Sequence, residues 1–283
     1  MKSVCSALLV AALTAIVGCG SKTTPSGATP PSAALSATTP AAATTVAAAS
    51  GPADAATLAK AGEFAKDLQA GKLKAALLTP AFKKLIAPAT TEADKAQGFS
   101  DWGAESWLAE HAKGASAEQA KGLMLDADTT LVTAKSAAGR MLMRLVKSAS
   151  GILIDWIDVT TDVGEFDFSQ APAPAFAAVA FLDALLTKQT KLAESLLSPA
   201  GAKSIAPPLD DADAKRGFNV GILRIKLNNF LGSSTGADKL ALVKEGAGYA
   251  LSGEMTGANE VRKFSIKLTL VNGTWMVAEF LPN

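Results

Sequence analysis

The chain repeats itself. Pro80-Ala81-Phe82-Lys83-Lys84-Leu85-Ile86-Ala87-Pro88 returns 119 residues later as Pro199-Ala200-Gly201-Ala202-Lys203-Ser204-Ile205-Ala206-Pro207. The match runs on through Ala93-Asp94 with Ala212-Asp213 and through Gly98-Phe99 with Gly217-Phe218. Ten of the twenty positions from 80 to 99 are identical at that offset, without a gap. Upstream, Phe64 and Leu68 pair with Phe181 and Leu185 at an offset of 117, and the later segments match best near 123. Small loop insertions produce such a drift. A period of about 20–50 residues would mean a solenoid; this longer one means a duplicated folding unit. The order of elements in one copy therefore predicts the order in the other.

Helices come first in each copy. Leu58, Ala61, Phe64, Ala65 and Leu68 recur at helical spacing, as do Phe176, Val179, Ala180 and Leu186. Short second helices are predicted around Lys72–Leu78 and Lys191–Leu197, ending at Thr79-Pro80 and Ser198-Pro199. A longer helix is predicted to start near Asp94 and near Asp213, where an acidic side chain suits the N-terminus. Strands come last: Leu123–Asp126, Thr130–Lys135, Met141–Lys147 and Ile152–Val159, then Leu240–Lys244, Ala247–Glu254, Arg262–Val271 and Trp275–Leu281. Phe264, Ile266, Leu268 and Leu270 alternate onto one face, Asn272-Gly273 is a strong hairpin signal, and Gly246 and Gly257 mark other turns. Helices followed by an antiparallel meander define an α+β class. The expected organisation is two tandem domains, each with N-terminal helices packed on a curved antiparallel sheet of about four strands. They are placed at residues 57–163 and 172–283, joined by a linker at 164–171.

This pattern, with Leu77-Leu78-Thr79-Pro80 and the final Asn272-Gly273-Thr274-Trp275-Met276-Val277, resembles the nuclear transport factor two-like (cystatin-like) superfamily. The first copy carries Gly151-Ile152-Leu153-Ile154 at the equivalent strand, with Ile152 in place of Trp275. The resemblance implies a sheet wrapped around helices into a cone with an apolar pocket. It does not select a function, because that superfamily holds enzymes, ligand-binding modules and interaction domains.

The N-terminus carries a second resemblance. Lys2, an apolar run from Ala7 to Val17, and Ile16-Val17-Gly18-Cys19 resemble a bacterial lipoprotein signal with its lipobox. The run is shorter than the roughly 20 residues a membrane span needs. The resemblance implies a signal peptide at 1–18, cleavage before Cys19, and a diacylglyceryl group on the Cys19 thiol with acylation of the new amino terminus. Two or more chains give stable attachment where one does not. Gly20 follows in place of an Asp that would favour retention in an inner membrane, so an outer membrane is expected where two are present. Residues 20–53 are Ala, Thr, Ser, Pro and Gly except for Lys22, Leu35 and Val46. Such a stretch buries no core, and the lipidated segment 19–56 is expected to be a disordered tether.

Loss of residues 1–18 removes Lys2 alone, leaving 26 basic side chains against 26 acidic ones. A near-neutral chain lacks the basic face that nucleic acid requires, so no nucleic-acid partner is expected. With Cys5 in the signal and Cys19 lipidated, the folded part has no cysteine for a disulfide, a thiol nucleophile or a thiolate ligand. His111 is the single histidine, which argues against a His-rich metal site. Asp126-x-Asp128 and Asp210-Asp211-x-Asp213 lack the Gly and distal Glu of a calcium loop and read as turn and cap residues. Glu165 and Asp167 read as a solvated acidic stretch between the copies, and Trp102, Trp107, Trp156 and Trp275 as core or pocket aromatics.

No metal and no cofactor is expected. The function expected is that of a lipid-anchored cell-envelope protein acting as a non-catalytic binding or scaffold module. Its partners would be the membrane, through Cys19, and a small apolar ligand or an envelope protein. The alternatives are an isomerase- or dehydratase-like enzyme using His111 of the first copy, and a purely structural envelope protein. Substituting Cys19→Ala is expected to move the protein from the membrane fraction to the aqueous one; unchanged membrane residence would reject lipid anchoring.

Overall fold

The computed structural model describes residues 51–136, 139–160, 164–230, 234–257 and 260–282. Cys19, the signal and most of the predicted tether lie outside the described residues. The described residues belong to one compact unit, Thr45–Asn283.

Regular structure starts upstream of residue 57. Gly51–Ala53 lie along the first strand, with Ala53 N–H donating to Gly122 O at 2.9 Å, and Asp54 caps the first helix by accepting from Thr57 N at 2.8 Å. The first repeat then runs α1 (Ala55–Gln69), a 3-10 turn at Ala75–Leu77, α2 (Pro80–Ile86), α3 (Glu92–Lys95), α4 (Asp101–His111), and strands β1 (Glu118–Met124), β2 (Thr129–Ser136), β3 (Gly139–Ser148) and β4 (Gly151–Thr160). The second repeats the order: α5 (Pro172–Leu186), α6 (Thr190–Ser195), α7 (Pro199–Ile205), α8 (Asp211–Arg216), α9 (Val220–Asn229), then β5 (Gly236–Glu245), β6 (Gly248–Thr256), β7 (Val261–Val271) and β8 (Thr274–Pro282). Each set of four strands forms an antiparallel meander, so the α+β class with two four-stranded sheets is what the chain adopts.

The repetition extends to irregularities. Both first strands bulge, at Glu118/Lys121 and at Asp238/Ala241, and Gln119 and Lys239 each take φ 53° there. Both last hairpins bulge too, at Arg144/Leu145 and at Lys267/Leu268. Asn272 (φ 50°) and Gly273 (φ 81°) make the tight β7–β8 turn in the left-handed region that this pair tolerates. In each repeat a short segment covers the edge of the last strand: Leu78 bridges Ile154 and Leu197 bridges Val277, both in parallel.

Three local expectations are corrected. Lys72–Leu78 forms only a 3-10 turn. The prolines do not close a helix; Pro80 and Pro199 open α2 and α7 at the first position, where the missing N–H costs nothing. Thr79 and Ser198 supply the caps, accepting from Phe82 N at 3.2 Å and Gly201 N at 3.0 Å. Finally, the longer helix expected from Asp94 and Asp213 is two helices. Gly98 (φ 79°) and Gly217 (φ 93°) end the first, and Ser100 and Asn219 cap the second.

Directly opposed residues on antiparallel strands share a face. In the first sheet Gly122, Val132, Met143 and Ile157 form one such row, and a Cβ on Gly122 would sit 2.8 Å from Leu58 of α1. The neighbouring row, Leu131, Arg144 and Trp156, points the other way. There it meets α5 of the second repeat: Phe176 stacks edge-on against Trp156 at 5.8 Å and lies under Arg144 at 4.8 Å. On its other side α5 packs on the second sheet, with Phe181 5.9 Å from Phe280. The first sheet is thus covered on both faces. The opposite face of the second sheet carries Lys263, Ser265, Lys267 and Glu279, with a Lys267–Glu279 ion pair at 2.6 Å. Among the described residues, all buried apolar side chains of the two repeats except Phe99, Ala171 and Ala250 join one continuous core.

Trp156→Ala removes a side chain that touches both α2 and α5, and is expected to cost about 3–5 kcal/mol. Hydrogen exchange in β3 and β7 is expected to accelerate together; acceleration confined to β3 would contradict a shared core.

Candidate functional site

In the first repeat, the space beside α2 is filled. Phe82 packs on Trp107 of α4 at 5.7 Å and on Trp156 of β4 at 6.0 Å. The next residue, Lys83, is buried on the other side of the helix. Its ammonium stands 4.0 Å over the Phe99 ring and 3.0 Å from Asp101 Oδ1.

At the equivalent helix α7 the same two positions are Gly201 and Ala202, and the Trp107 and Trp156 positions are Lys226 and Glu279. Two cavities result, one on each side of α7. The smaller, about 220 Å³, is lined by Gly201, Ser204, Lys226, Phe230, Glu279 and Phe280. Lys226 Nζ there donates to Ile205 O at 2.6 Å, closing the C-terminus of α7, where cations are favoured. Gly201 is required by a close approach: an added Cβ would lie 2.6 Å from Val277 O and 2.9 Å from Ala278 O. The larger cavity, about 420 Å³, opens beside Ala202 and is lined by Leu197, Pro199, Phe218 and Met276, with Glu194 and Asn272 among its polar groups. Glu194 Oε2 accepts from Arg224 Nε at 2.8 Å. An apolar floor with a few polar groups at its margin is the usual make-up of a small binding cleft.

The residues singled out in the sequence do not converge. His111 ends α4 with its ring stacked on Trp107 at 4.8 Å and Nδ1 3.1 Å from Trp107 O. Its nearest carboxylate, Glu110, is 4.0 Å away and exposed, and His111 lines neither cavity. Asp126 accepts from Asp128 N and Thr129 N at 2.9 and 2.8 Å in the β1–β2 turn. Asp210 caps α8, and Asp213 accepts from Asn219 Nδ2 at 2.6 Å. Among the described residues no three His, Cys, Asp or Glu gather as a metal site. Glu165 pairs with Lys135 at 3.0 Å on the surface, and the hydrogen bond and charge of that lysine hold its carboxyl below the ordinary pKa. Asp167 is likewise lowered, by the Ser169 backbone N–H and hydroxyl. Trp156 is core, Trp107 packs against it through Phe82, Trp275 meets Tyr249 edge to face at 5.2 Å, and Trp102 is exposed. No family model matches the chain, and no curated protein matches it.

Sequence reading missed the joint between the repeats. Arg140 of β3 reaches α5 and donates from Nη2 to both oxygens of Asp183, at 2.7 and 2.9 Å, and from Nη1 to Gly164 O at 3.3 Å. Asp158 of β4 is buried in the same cluster, and its Oδ1 has no hydrogen-bond partner among the described residues. Burial pushes Asp158 well above the ordinary carboxylate range, the Asp183 charge pushes it further, and Arg140 opposes both. Burial raises Asp183 as well, against the Arg140 charge and hydrogen bonds. With one guanidinium for two carboxyls, Asp158, which Arg140 does not hydrogen-bond, is the one that burial and the Asp183 charge push toward its protonated form. A carboxyl raised on folding binds more protons folded than unfolded, so stability falls as pH rises above the unfolded value near 4. Above pH 4, Asp158→Asn is expected to remove a downward slope of up to about 1.4 kcal/mol per pH unit. Denaturant titrations at several pH values read it, and an unchanged slope would contradict the assignment.

Proposed function

We propose that the chain is a lipid-anchored cell-envelope protein, held by Cys19 and lifted from the membrane by its Ala/Thr/Pro/Ser segment, that acts as a non-catalytic binding module. The observation that carries the reading is the asymmetry between the repeats. The first repeat closes its helix–sheet space with Phe82, Lys83, Trp107 and Trp156. At α7 the second repeat holds Ala202 in place of Lys83 and a cleft opens beside it, while Gly201 lets the helix sit close against β8. In this reading the first repeat is the rigid base and the second carries the ligand. The ligand is a small apolar molecule or a segment of an envelope protein, matching the apolar floor of the larger cavity. The resemblance to the nuclear transport factor two-like superfamily, whose members use a pocket between helices and sheet, supports the same placement. Near-neutral charge and the absence of a basic motif keep nucleic acid out of it.

A photo-crosslinking residue at the rim position Thr274 is expected to capture a specific adduct in the native envelope. The adduct should vanish when Ala202→Phe fills the cavity. A crosslinker at exposed Leu270, which pairs with Trp275 on the opposite face of the sheet and lines neither cavity, should give none. The same pattern from both positions would reject the cavity as the binding site.

A further inference from the structure

The first repeat shows what the larger cavity of the second is shaped to hold. Phe99 and Phe218 occupy equivalent positions, and both are kept aromatic. In the first repeat a lysine side chain fills the space between that ring and the helix, its ammonium 4.0 Å over the ring centroid. Lys83 is only 8% exposed there, so its aliphatic stem is packed and its charge satisfied by the ring and Asp101. In the second repeat the lysine is Ala202, the ring remains, and the missing side chain leaves part of the open cleft of about 420 Å³. Asp101 is replaced by Val220, but a carboxylate returns from another direction, since Ala75 is replaced by Glu194 on the cavity wall.

Resting on the reading that this cavity is the binding site, we propose that it receives a lysine side chain presented by a partner polypeptide. Leu197 and Met276 give the four-carbon stem an apolar floor. Phe218 on the wall supplies an aromatic ring where Phe99 receives Lys83 in the first repeat, and Glu194 offers a carboxylate that already accepts from Arg224. A polypeptide is the fitting source because exposed Pro199 and Thr274 stand at the mouth, where a backbone can remain outside while one side chain enters. The partner thus supplies in trans what Lys83 supplies in cis.

The test uses the full-length chain in detergent, with the Met276 methyl resonance as reporter. The probe is a blocked Gly-Lys-Gly tripeptide, compared with its Nε-acetyl-lysine and norleucine counterparts. Saturable shifts are expected with lysine, and about tenfold weaker binding with either uncharged chain. Phe218→Leu is expected to weaken the lysine peptide and leave norleucine unchanged. The double substitution Ala202→Lys/Val220→Asp, which rebuilds the first repeat's pair, is expected to abolish the shifts while the Ile266 methyl stays at its native position. Equal affinity for lysine and norleucine overturns the lysine assignment and leaves the cavity as a binding site. No shift with any peptide overturns it as well, and the crosslinking at Thr274 then decides separately whether the cavity binds at all.

Discussion

A helix that is apolar on every side holds this molecule together. All residues of α5 from Pro174 to Leu185 are buried. A helix of that character is stable only when every face finds a partner. One sheet cannot supply that, so α5 lies between the inner face of its own sheet and the outer face of the preceding one. Its single charge, Asp183, is tolerable because Arg140 reaches across from the other repeat to pair with it in two-pronged fashion. Removing one partner from such a buried pair leaves an uncompensated charge, which destabilises strongly. The contact therefore fixes the position of α5 on the sheet as well as the fact of its burial.

This arrangement explains how two copies of one unit have diverged. In the second repeat, the face formed by Lys263, Ser265, Lys267 and Glu279 meets solvent and is polar. The equivalent positions in the first repeat are Arg140, Leu142, Arg144 and Trp156, and α5 covers them. The same pleat thus carries opposite chemistry according to what lies above it. A parallel divergence surrounds α2 and α7. Bulky residues pack the first repeat into the base on which α5 rests. At α7, away from that joint, small residues leave room. Packing constraint and openness are divided between the copies, and this division underlies the functional proposal.

Much of the fold was legible because it rests on local periodicity. Alternation placed seven of the strands and missed most of the first, which runs Glu118–Met124 where Leu123–Asp126 was expected, and Asn272-Gly273 announced its turn through the two residues that accept positive φ. Helix boundaries were read less well. Pro80 and Pro199 act as starts because Thr79 and Ser198 stand ready to cap them, a reading that competes with the proline as a stop. Gly98 and Gly217 break what looks like one helix. The cavities were half-visible: the substitution of Phe82-Lys83 by Gly201-Ala202 was present in the repeat alignment, but nothing local says whether a lost side chain leaves space or is filled by a neighbour.

The amino-acid sequence by itself determined the duplicated order of helices and strands, the α+β class and the near-neutral balance of charge. Those properties follow from spacing and composition along one chain. Only the tertiary structure decided that one core spans both repeats, that Arg140 and Asp158 meet Asp183 in its interior, and that cavities open beside α7. These depend on which faces meet between elements well separated along the chain, and close packing between distant elements leaves no periodic trace in either partner.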